Sequence, residues 1–505
     1  MSFSLLSEPW IPVQGGARKS LLGIFSAPSP AGLVGAPTRK ISLLKLLLGI
    51  CQAACTPGTE KDWERLSPEK LAEKCRAYLE KQADRFELHD NKLPFLQLPK
   101  AAKAQPLPWA AIIPEFVNGN TTALTRASLP ALRTDAEKAV DLVTLMSFAL
   151  GGKKTDNSLV LTPGYAGKTK PNGKPITAKC APSVGFLGFL HAFVEGKDLW
   201  ETLWLNLWTR ERLERPDIEA LFPAGLGTPP WEEMPSGEDD ERARELRDSY
   251  IGRLIPLSRF CLIDSESIHL TEGISYPGYS DGRREPTAFY RQKGTKLTAL
   301  WADPEKRPWR DLPAILIPGL KEHYRNLMLE SFYGHLAFLK KDPEKKVKLW
   351  CGGLKVSSNA GEFYVSGGDD YVEASCELQT SDFDEIWYQL FEAQMAEVDE
   401  RSKKLYGAVL SYQKELKQED DGTAARASNI YWERGEPLGQ DLVNACGDKD
   451  EAKLIELGKR FTLIMQAIYD EFCPSASARE LEAWTKCRPY YAPGQSKKSR
   501  KEKAK

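Results

Sequence analysis

The chain has 505 residues, 42% hydrophobic and 28% charged, with a formal net charge of −1 at pH 7. That is room for two or more domains with sizeable cores, in the composition of a soluble globular protein rather than a disordered or fibrous one. The opening MSFSLLSEPWIPV lacks the parts of a signal peptide, and the most apolar run, 41–54, is too short to span a bilayer. A cytoplasmic protein without a membrane partner is expected, and ten cysteines with no C-x-x-C pair predict reduced, mostly buried thiols and no zinc site.

In chain order, Glu8–Val13 (EPWIPV) reads as an extended apolar segment pinned by two prolines. Leu43, Leu46, Leu47 and Ile50 share one face and predict a helix over Ser42–Ala54. Glu60–Phe86 is a charged amphipathic helical region, and Leu93–Leu98 (LPFLQL) a short extended piece. Residues 110–130 lose helical pattern after Asn118, which suggests a mobile loop. Phe116 and Asn118 at its start are a stacking ring and an amide, though the residues by themselves favour a core phenylalanine beside a turn asparagine.

Thr134 and Glu137 form a capping box ahead of the apolar run AVDLVTLMSFAL, a buried helix that Gly151 is expected to stop. Gly151–Lys179 then gathers six lysines against the single acid Asp156. Glycine-rich backbone (Gly151, Gly152) with Lys153, Lys168, Lys170 and Lys174 suits phosphate contact, and suits a solvated surface loop as well. Gly167-Lys168-Thr169 is not the end of a P-loop. The required upstream glycine is Thr162, and Pro171, Gly173 and Pro175 forbid the helix that must follow.

Val184–Val194 reads as a strand or buried segment and Trp200–Leu207 as a helix. The acidic Glu238–Glu241 within Pro229–Asp248 reads as a solvated face or linker. Residues 281–310 hold eight basic residues against four acids, interleaved with Phe289, Tyr290, Trp301 and Trp309. This pattern fits a strand hairpin touching a nucleic-acid backbone, or a solvated hairpin. Cys351–Gly361 is a second glycine-rich turn with Asn359 near its tip, followed by a strand over Glu362–Val372. Phe383–Leu416, Ala424–Glu433, Asp450–Phe472 and Ala478–Lys486 are helical stretches that make a C-terminal bundle the economical reading. Five scattered histidines, with no G-x-S-x-G, G-x-G-x-x-G or clustered D-x-D, lower the case for catalysis.

The order of several short motifs resembles the large subunit (CasA family) of the type I-E CRISPR surveillance complex Cascade. They are Leu6–Val13 (LSEPWIPV), Leu93–Leu98, Phe116-Val-Asn118, and the basic glycine loop followed by Val194–Leu207 (VEGKDLWETLWLNL). Pro230–Glu232 (PWE), Trp301–Pro304 (WADP), Gly352-Gly353 and Tyr431–Glu433 (YWE) continue the match across nearly the whole chain.

The resemblance implies an α+β protein: a large mixed α/β N-terminal domain, 1–378, then a C-terminal four-helix bundle, 379–492, and a basic disordered tail, 493–505. It implies no catalysis, no cofactor and no metal. Its partners would be target double-stranded DNA, guide RNA, the backbone, guide 5′-end-binding and small subunits, and a helicase–nuclease recruited after R-loop formation. Such a subunit recognises the protospacer-adjacent motif from the minor groove with a glycine loop, a lysine finger and a glutamine wedge.

Here Gly151-Gly152 or Gly164–Gly167 would be the glycine loop, the former preferred. The finger falls in Phe289–Lys296, with Lys293 or Arg291 at its tip. The wedge falls in Lys355–Ala360, where Asn359 is the nearest amide to the family's glutamine. Phe116 and Asn118 match the base of the family's long loop near the guide 5′ end and the motif. A scaffold subunit that does not read the motif, and a metal-dependent nuclease with dispersed carboxylates, are the competing readings.

Overall fold

The computed structural model describes residues 2–113, 133–151, 159–163, 181–185, 187–279, 284–293, 296–306, 308–316, 324–342, 344–357, 371–418 and 420–491. The chain forms two compact units. The first is Met1–Pro304, Pro318–Leu339 and Val347–Glu373, and the second Glu305–Ile317, Lys340–Lys346 and Ala374–Lys505.

The chain opens with the antiparallel pair β1 (Ile11–Pro12) and β2 (Arg18–Lys19), then α1 (Leu21–Ile24) and the long α2 (Pro37–Cys55). Pro37 at the first helical turn starts α2, where its missing N–H costs nothing. The leucine-rich run then buries the helix almost end to end against α4 (Pro68–Lys81) and α5 (Asp135–Phe148), with α3 (Glu60–Arg65) between α2 and α4 in sequence. Thr134 and Glu137 do close a capping box on α5, nearly all of which is buried. The helix ends at Phe148 with Ala149 as its cap, so Gly151 lies beyond the stop rather than forming it.

Strand β3 (Pro106–Pro108) precedes α5, and β4 (Leu190–Glu195) leads into α6 (Leu199–Leu205), α7 (Arg210–Leu213), α8 (Pro216–Glu219), α9 (Glu241–Asp248) and α10 (Tyr250–Leu254). β5 (Arg259–Ile263) and β6 (Ser267–Glu272) join β3 in the order β3-β6-β5. β7 (Tyr290–Lys293) and β8 (Lys296–Ala299) form a hairpin. After α11 (Leu312–Leu316) of the second unit, β9 (Tyr324–Arg325) completes the order β8-β7-β9. α12 (Leu327–Leu339), β10 (Lys346–Leu354) and β11 (Tyr371–Gln379) follow, with the sheet order β11-β10-β4. β11 passes from the first unit into the second at Glu373.

Trp63 of α3 stands between Trp204 and His335, with ring centroids 3.8 Å away on each side. Glu60 holds both His335 Nδ1 and Arg212 Nε. Burial alone would raise the Glu60 carboxyl, but the hydrogen bonds and charges of His335 and Arg212 outweigh it and hold the group below its ordinary value.

Three further expectations are corrected. Leu93–Leu98 is a turn with Leu96 at φ 54°, not an extended piece. The acidic run is not a solvated linker: Glu238 and Asp239 are buried, and the Glu238 carboxylate accepts from Leu161 N and Thr162 N, each at 2.8 Å. Backbone donors that need a partner away from water have drawn the acid inward. Cys351-Gly352-Gly353 is not a turn but part of β10, paired with Ala192, His191 and Leu190 of β4. Glycine suits that strand because a Cβ at Gly353 would meet Phe189 O at 2.5 Å.

The second unit is a helical bundle. α13 (Glu385–Leu416) begins at the Asp384 N-cap and packs on α14 (Asp421–Gly435), α16 (Glu451–Phe472) and α17 (Ala478–Cys487). α15 (Gly439–Gly447) is a further helix with no counterpart in the sequence reading. Leu454, Leu457, Phe461, Met465 and Ile468 of α16 are buried at helical spacing. The fold is therefore α+β, a mixed unit with small sheets and a helical bundle. Residues 493–505, read as a tail, and most of Glu362–Val372, read as a strand, lie outside the described residues. Of the nine described cysteines, all free, seven are buried and two half-buried.

Candidate nucleic-acid interface

Three of the segments singled out in the sequence, the lysine-rich segment, the hairpin and the start of Lys355–Ala360, share a root at the start of β4. After Ala181 the chain bends sharply through Gly185, Leu187 and Gly188, at φ 54°, 67° and 75°. A Cβ at Gly188 would meet Leu354 O at 1.8 Å, so only glycine lets the end of β10 lie against this bend. Val356 N donates to Leu187 O at 3.2 Å, closing the junction from which the Lys355–Ala360 segment departs.

The hairpin is rooted on the same stretch. Leu190 N donates to Leu300 O at 2.9 Å, Phe289 N to Leu190 O at 3.0 Å, Ala192 N to Thr287 O at 2.8 Å and Ala302 N to Gly188 O at 3.0 Å. Phe189, Ala288, Tyr290 and Ala299 form a small apolar core beneath it, flanked by Tyr279, Leu297 and Trp301. Within the hairpin Arg291 pairs Thr298 and Lys293 pairs Lys296, while Arg291 also pairs Tyr324 of β9. The alternation of a strand sends Tyr290 inward and leaves Arg291 exposed.

The lysine-rich segment is held at its ends and middle. Ala181 N donates to Ala149 O at 3.0 Å, which closes its mouth beside the buried Gly151. Thr162 Oγ1 accepts from Asp239 N at 3.0 Å, alongside the two bonds to Glu238. At the exit, Ser183 Oγ lies 3.3 Å from Glu285 Oε1.

Of the sequence-predicted residues, the structure places Arg291 and Lys293 on β7, and Lys355 3.1 Å from Asp303 just beyond the hairpin. Gly151 sits at the mouth of the lysine-rich segment. The side chain of Lys293, and all of Gly152, Lys153, Lys168, Lys170, Lys174, Asn359, Phe116 and Asn118, lie outside the described residues. The sequence reading missed the polar groups below the root: Lys45, Ser183, His191, Glu285, Thr287 and Asn326. Their one trace in the sequence is Lys45, a lone cation inside an apolar helix.

Glu285 is fully buried. Burial would raise its carboxyl, but Lys45, His191 and the hydrogen bonds around it hold the group far below the ordinary carboxylate range. Burial pulls Lys45 below the ordinary lysine value, and Glu285 offsets part of that. A separate cleft of about 490 Å³ lies between His89, Asp135 and Asp264, and none of the predicted residues lines it. Among the described residues no group of three or more His, Cys, Asp or Glu is placed to hold a metal ion. Among the same residues no helix is long and apolar enough to cross a membrane.

The first unit is thus a mixed α/β unit in which a hairpin and the bases of two loops share one root, and the second is a helical bundle. The chain belongs to the family of CRISPR-associated protein Cse1, whose sequence model matches residues 4–467. It is 29% identical over 361 residues to the CRISPR-associated protein CasA/Cse1 of Thermus thermophilus. That alignment covers 65% of this chain and 64% of the relative, so the chain spans less than two thirds of the curated relative's length. The crystal structure of Thermus thermophilus CasA matches 96% of this chain and 97% of its own, with TM-score 0.74 at 21% identity. Thermobifida fusca Cse1 gives 0.70 at 19% identity, with 96% and 97% covered. A chain of a structure described as a CRISPR RNA-guided surveillance complex gives 0.71 at 15% identity, with 96% and 99% covered.

Proposed function

We propose that this chain is the non-catalytic large subunit of an RNA-guided Cascade complex. It reads the protospacer-adjacent motif of foreign double-stranded DNA from the minor groove, promotes duplex opening and R-loop formation, and recruits the helicase–nuclease. Residues 1–378 carry the DNA-facing loops, 379–492 form the bundle, and 493–505 are a basic tail. The partners are target duplex, guide RNA and the other Cascade subunits, in the cytoplasm. Family membership supports this reading, and the single observation that carries it is the β7–β8 hairpin. It is a basic ribbon with Arg291 exposed, rooted where the bases of two other loops meet.

The physics of the groove fits such a device. The minor groove chiefly separates A·T from G·C, so its reader is permissive, and a basic side chain on a narrow ribbon reaches its acceptors. Gly151 and Gly152 bring bare backbone close, and Lys153, Lys168, Lys170 and Lys174 meet phosphates. Lys355 and Asn359 belong to the segment that enters the stack, at a cost of a few kcal/mol of unstacking. Guide pairing replaces the lost DNA pairs in a near-balanced exchange, so modest protein contacts decide opening. Phe116 and Asn118 flank the loop beside the guide end.

The test is a titration of complexes carrying Arg291→Ala with Lys293→Ala, or Lys168→Ala with Lys170→Ala and Lys174→Ala. Each meets matched duplexes with and without the motif, at several salt concentrations. The hairpin variant is expected to weaken motif-bearing DNA selectively, by roughly 1–3 kcal/mol. The lysine variant weakens both duplexes alike, and its salt slope falls by about 0.9 for each phosphate that is no longer neutralised. Equal losses for both duplexes in both variants would leave the loops supplying only general charge and reject the motif-reading role.

A further inference from the structure

The elements that spread toward the candidate interface are joined below it by a polar network closed to water. Lys45 Nζ of α2 donates to Glu285 Oε1 at 2.6 Å and to Ser183 Oγ at 2.9 Å, and the Lys45 and Glu285 side chains are 0% and 1% exposed. The second carboxylate oxygen, Oε2, accepts from Thr287 N and Thr287 Oγ1, each at 2.8 Å. His191 of β4 meets Thr287 Oγ1 through Nδ1 at 2.7 Å. Its Nε2 donates to the Ser183 carbonyl at 3.0 Å, since that oxygen can only accept. Asn326 Nδ2 closes the circuit on Thr287 O at 2.6 Å. Glu285 N donates to the hydroxyl of Tyr290, the first residue of the hairpin, at 2.9 Å.

One carboxylate thus ties the foot of the hairpin (Glu285, Thr287) to the exit of the lysine-rich segment (Ser183), to β4 and to α2. Apolar packing is non-directional, and a buried ion pair adds little net stability over well-packed apolar side chains. What the pair adds is direction, because each oxygen accepts along fixed lines from donors on different elements.

We propose that Lys45, Glu285 and His191 are positioning residues, which hold the β7–β8 hairpin in one pose relative to the exit of the lysine-rich segment. The proposal gives these buried residues a role in duplex contact through the hairpin, and in that respect rests on the DNA-binding reading above.

The test uses the full chain in its assembled complex, with two variants. Lys45→Met with Glu285→Gln removes both charges at similar volume and keeps an acceptor for Thr287 N. Thr287→Val removes one hydroxyl without changing shape and decides the question by itself if the double variant does not fold. Amide exchange at 290–293 and 296–299 is expected to quicken about tenfold in the double variant and less in Thr287→Val, with α4 unchanged. Affinity for motif-bearing duplex is expected to fall about tenfold in the double variant, from lost pre-organisation. Unchanged hairpin exchange in a folded variant overturns the proposal, and so does a quickening spread evenly over the first unit, which marks an ordinary core contact. Local quickening with unchanged DNA affinity upholds the positioning role and counts instead against the hairpin as the duplex contact.

Discussion

The helical bundle and the root of the hairpin hold their parts together by opposite means. In the bundle, α16 turns Leu454, Leu457, Phe461, Met465 and Ile468 to one side and buries them, and non-directional apolar contact does the joining. At the hairpin root, Lys45 and Glu285 meet across 240 positions of sequence, and charge and hydrogen bonding join elements that share no periodic pattern. An apolar joint loses stability roughly with the volume removed. A polar joint fails abruptly when one partner goes, because the other stays buried and unpaired.

That contrast orders the expected effects. Glu285→Gln or Lys45→Met alone leaves a buried charge without its counter-ion and should cost about 3–5 kcal/mol in denaturant unfolding, whereas the paired replacement costs far less. If the single and paired variants lose the same amount, the root is no different in kind from the bundle.

Acid acts on the same pair. The folded Glu285 carboxyl lies below its ordinary value of 4.5, so on acidification the unfolded chain takes up the proton first. The stabilisation is fully present above that ordinary value and is lost as pH falls through the folded one. Glu60, also depressed, adds in the same direction. Acid titration of the parent against the charge-free double variant isolates the Glu285 part as the difference between the two curves.

In the bundle, Leu457→Ala should cost about 3 kcal/mol by transfer and cavity terms, read by the same unfolding experiment and with little dependence on pH. Gly188→Ala sets a side chain at φ 75° against Leu354 O and should cost about 2 kcal/mol or more. The smallest effect on stability belongs to Arg291→Ala. The side chain is exposed, so the change should stay within about 0.5 kcal/mol while affinity for duplex falls.

The same contrast explains what could be read from the chain. Bundle helices, the capping box at Thr134 and the buried α5 follow from local spacing and cap chemistry, and each is present. The hairpin was legible because basic and aromatic residues alternate around it. α15 was not, since Gly439–Gly447 is short and begins and ends in glycine. Glu238 looked solvated because sequence does not show that Leu161 and Thr162 bring their backbone donors to its carboxylate, and Asp239 because its N–H in turn donates to Thr162 Oγ1. Cys351-Gly352-Gly353 looked like a turn because glycine's commoner use is conformational, while here it makes room for backbone. Nothing local announces that Lys45, Ser183, His191 and Glu285 meet, since tertiary structure alone brings them together. The expected positions of a finger, a glycine loop and a wedge came from resemblance and not from spacing.

The proposed function turns on contact between the β7–β8 hairpin and the target duplex. A photocrosslinking amino acid at position 291, in the fully assembled complex with its guide, addresses that contact most directly. Crosslinks are expected from position 291 to the target duplex at base pairs of the motif, and none when the duplex lacks the motif. A complex that binds the duplex normally, yet crosslinks from position 291 only to protein or guide RNA, would contradict it.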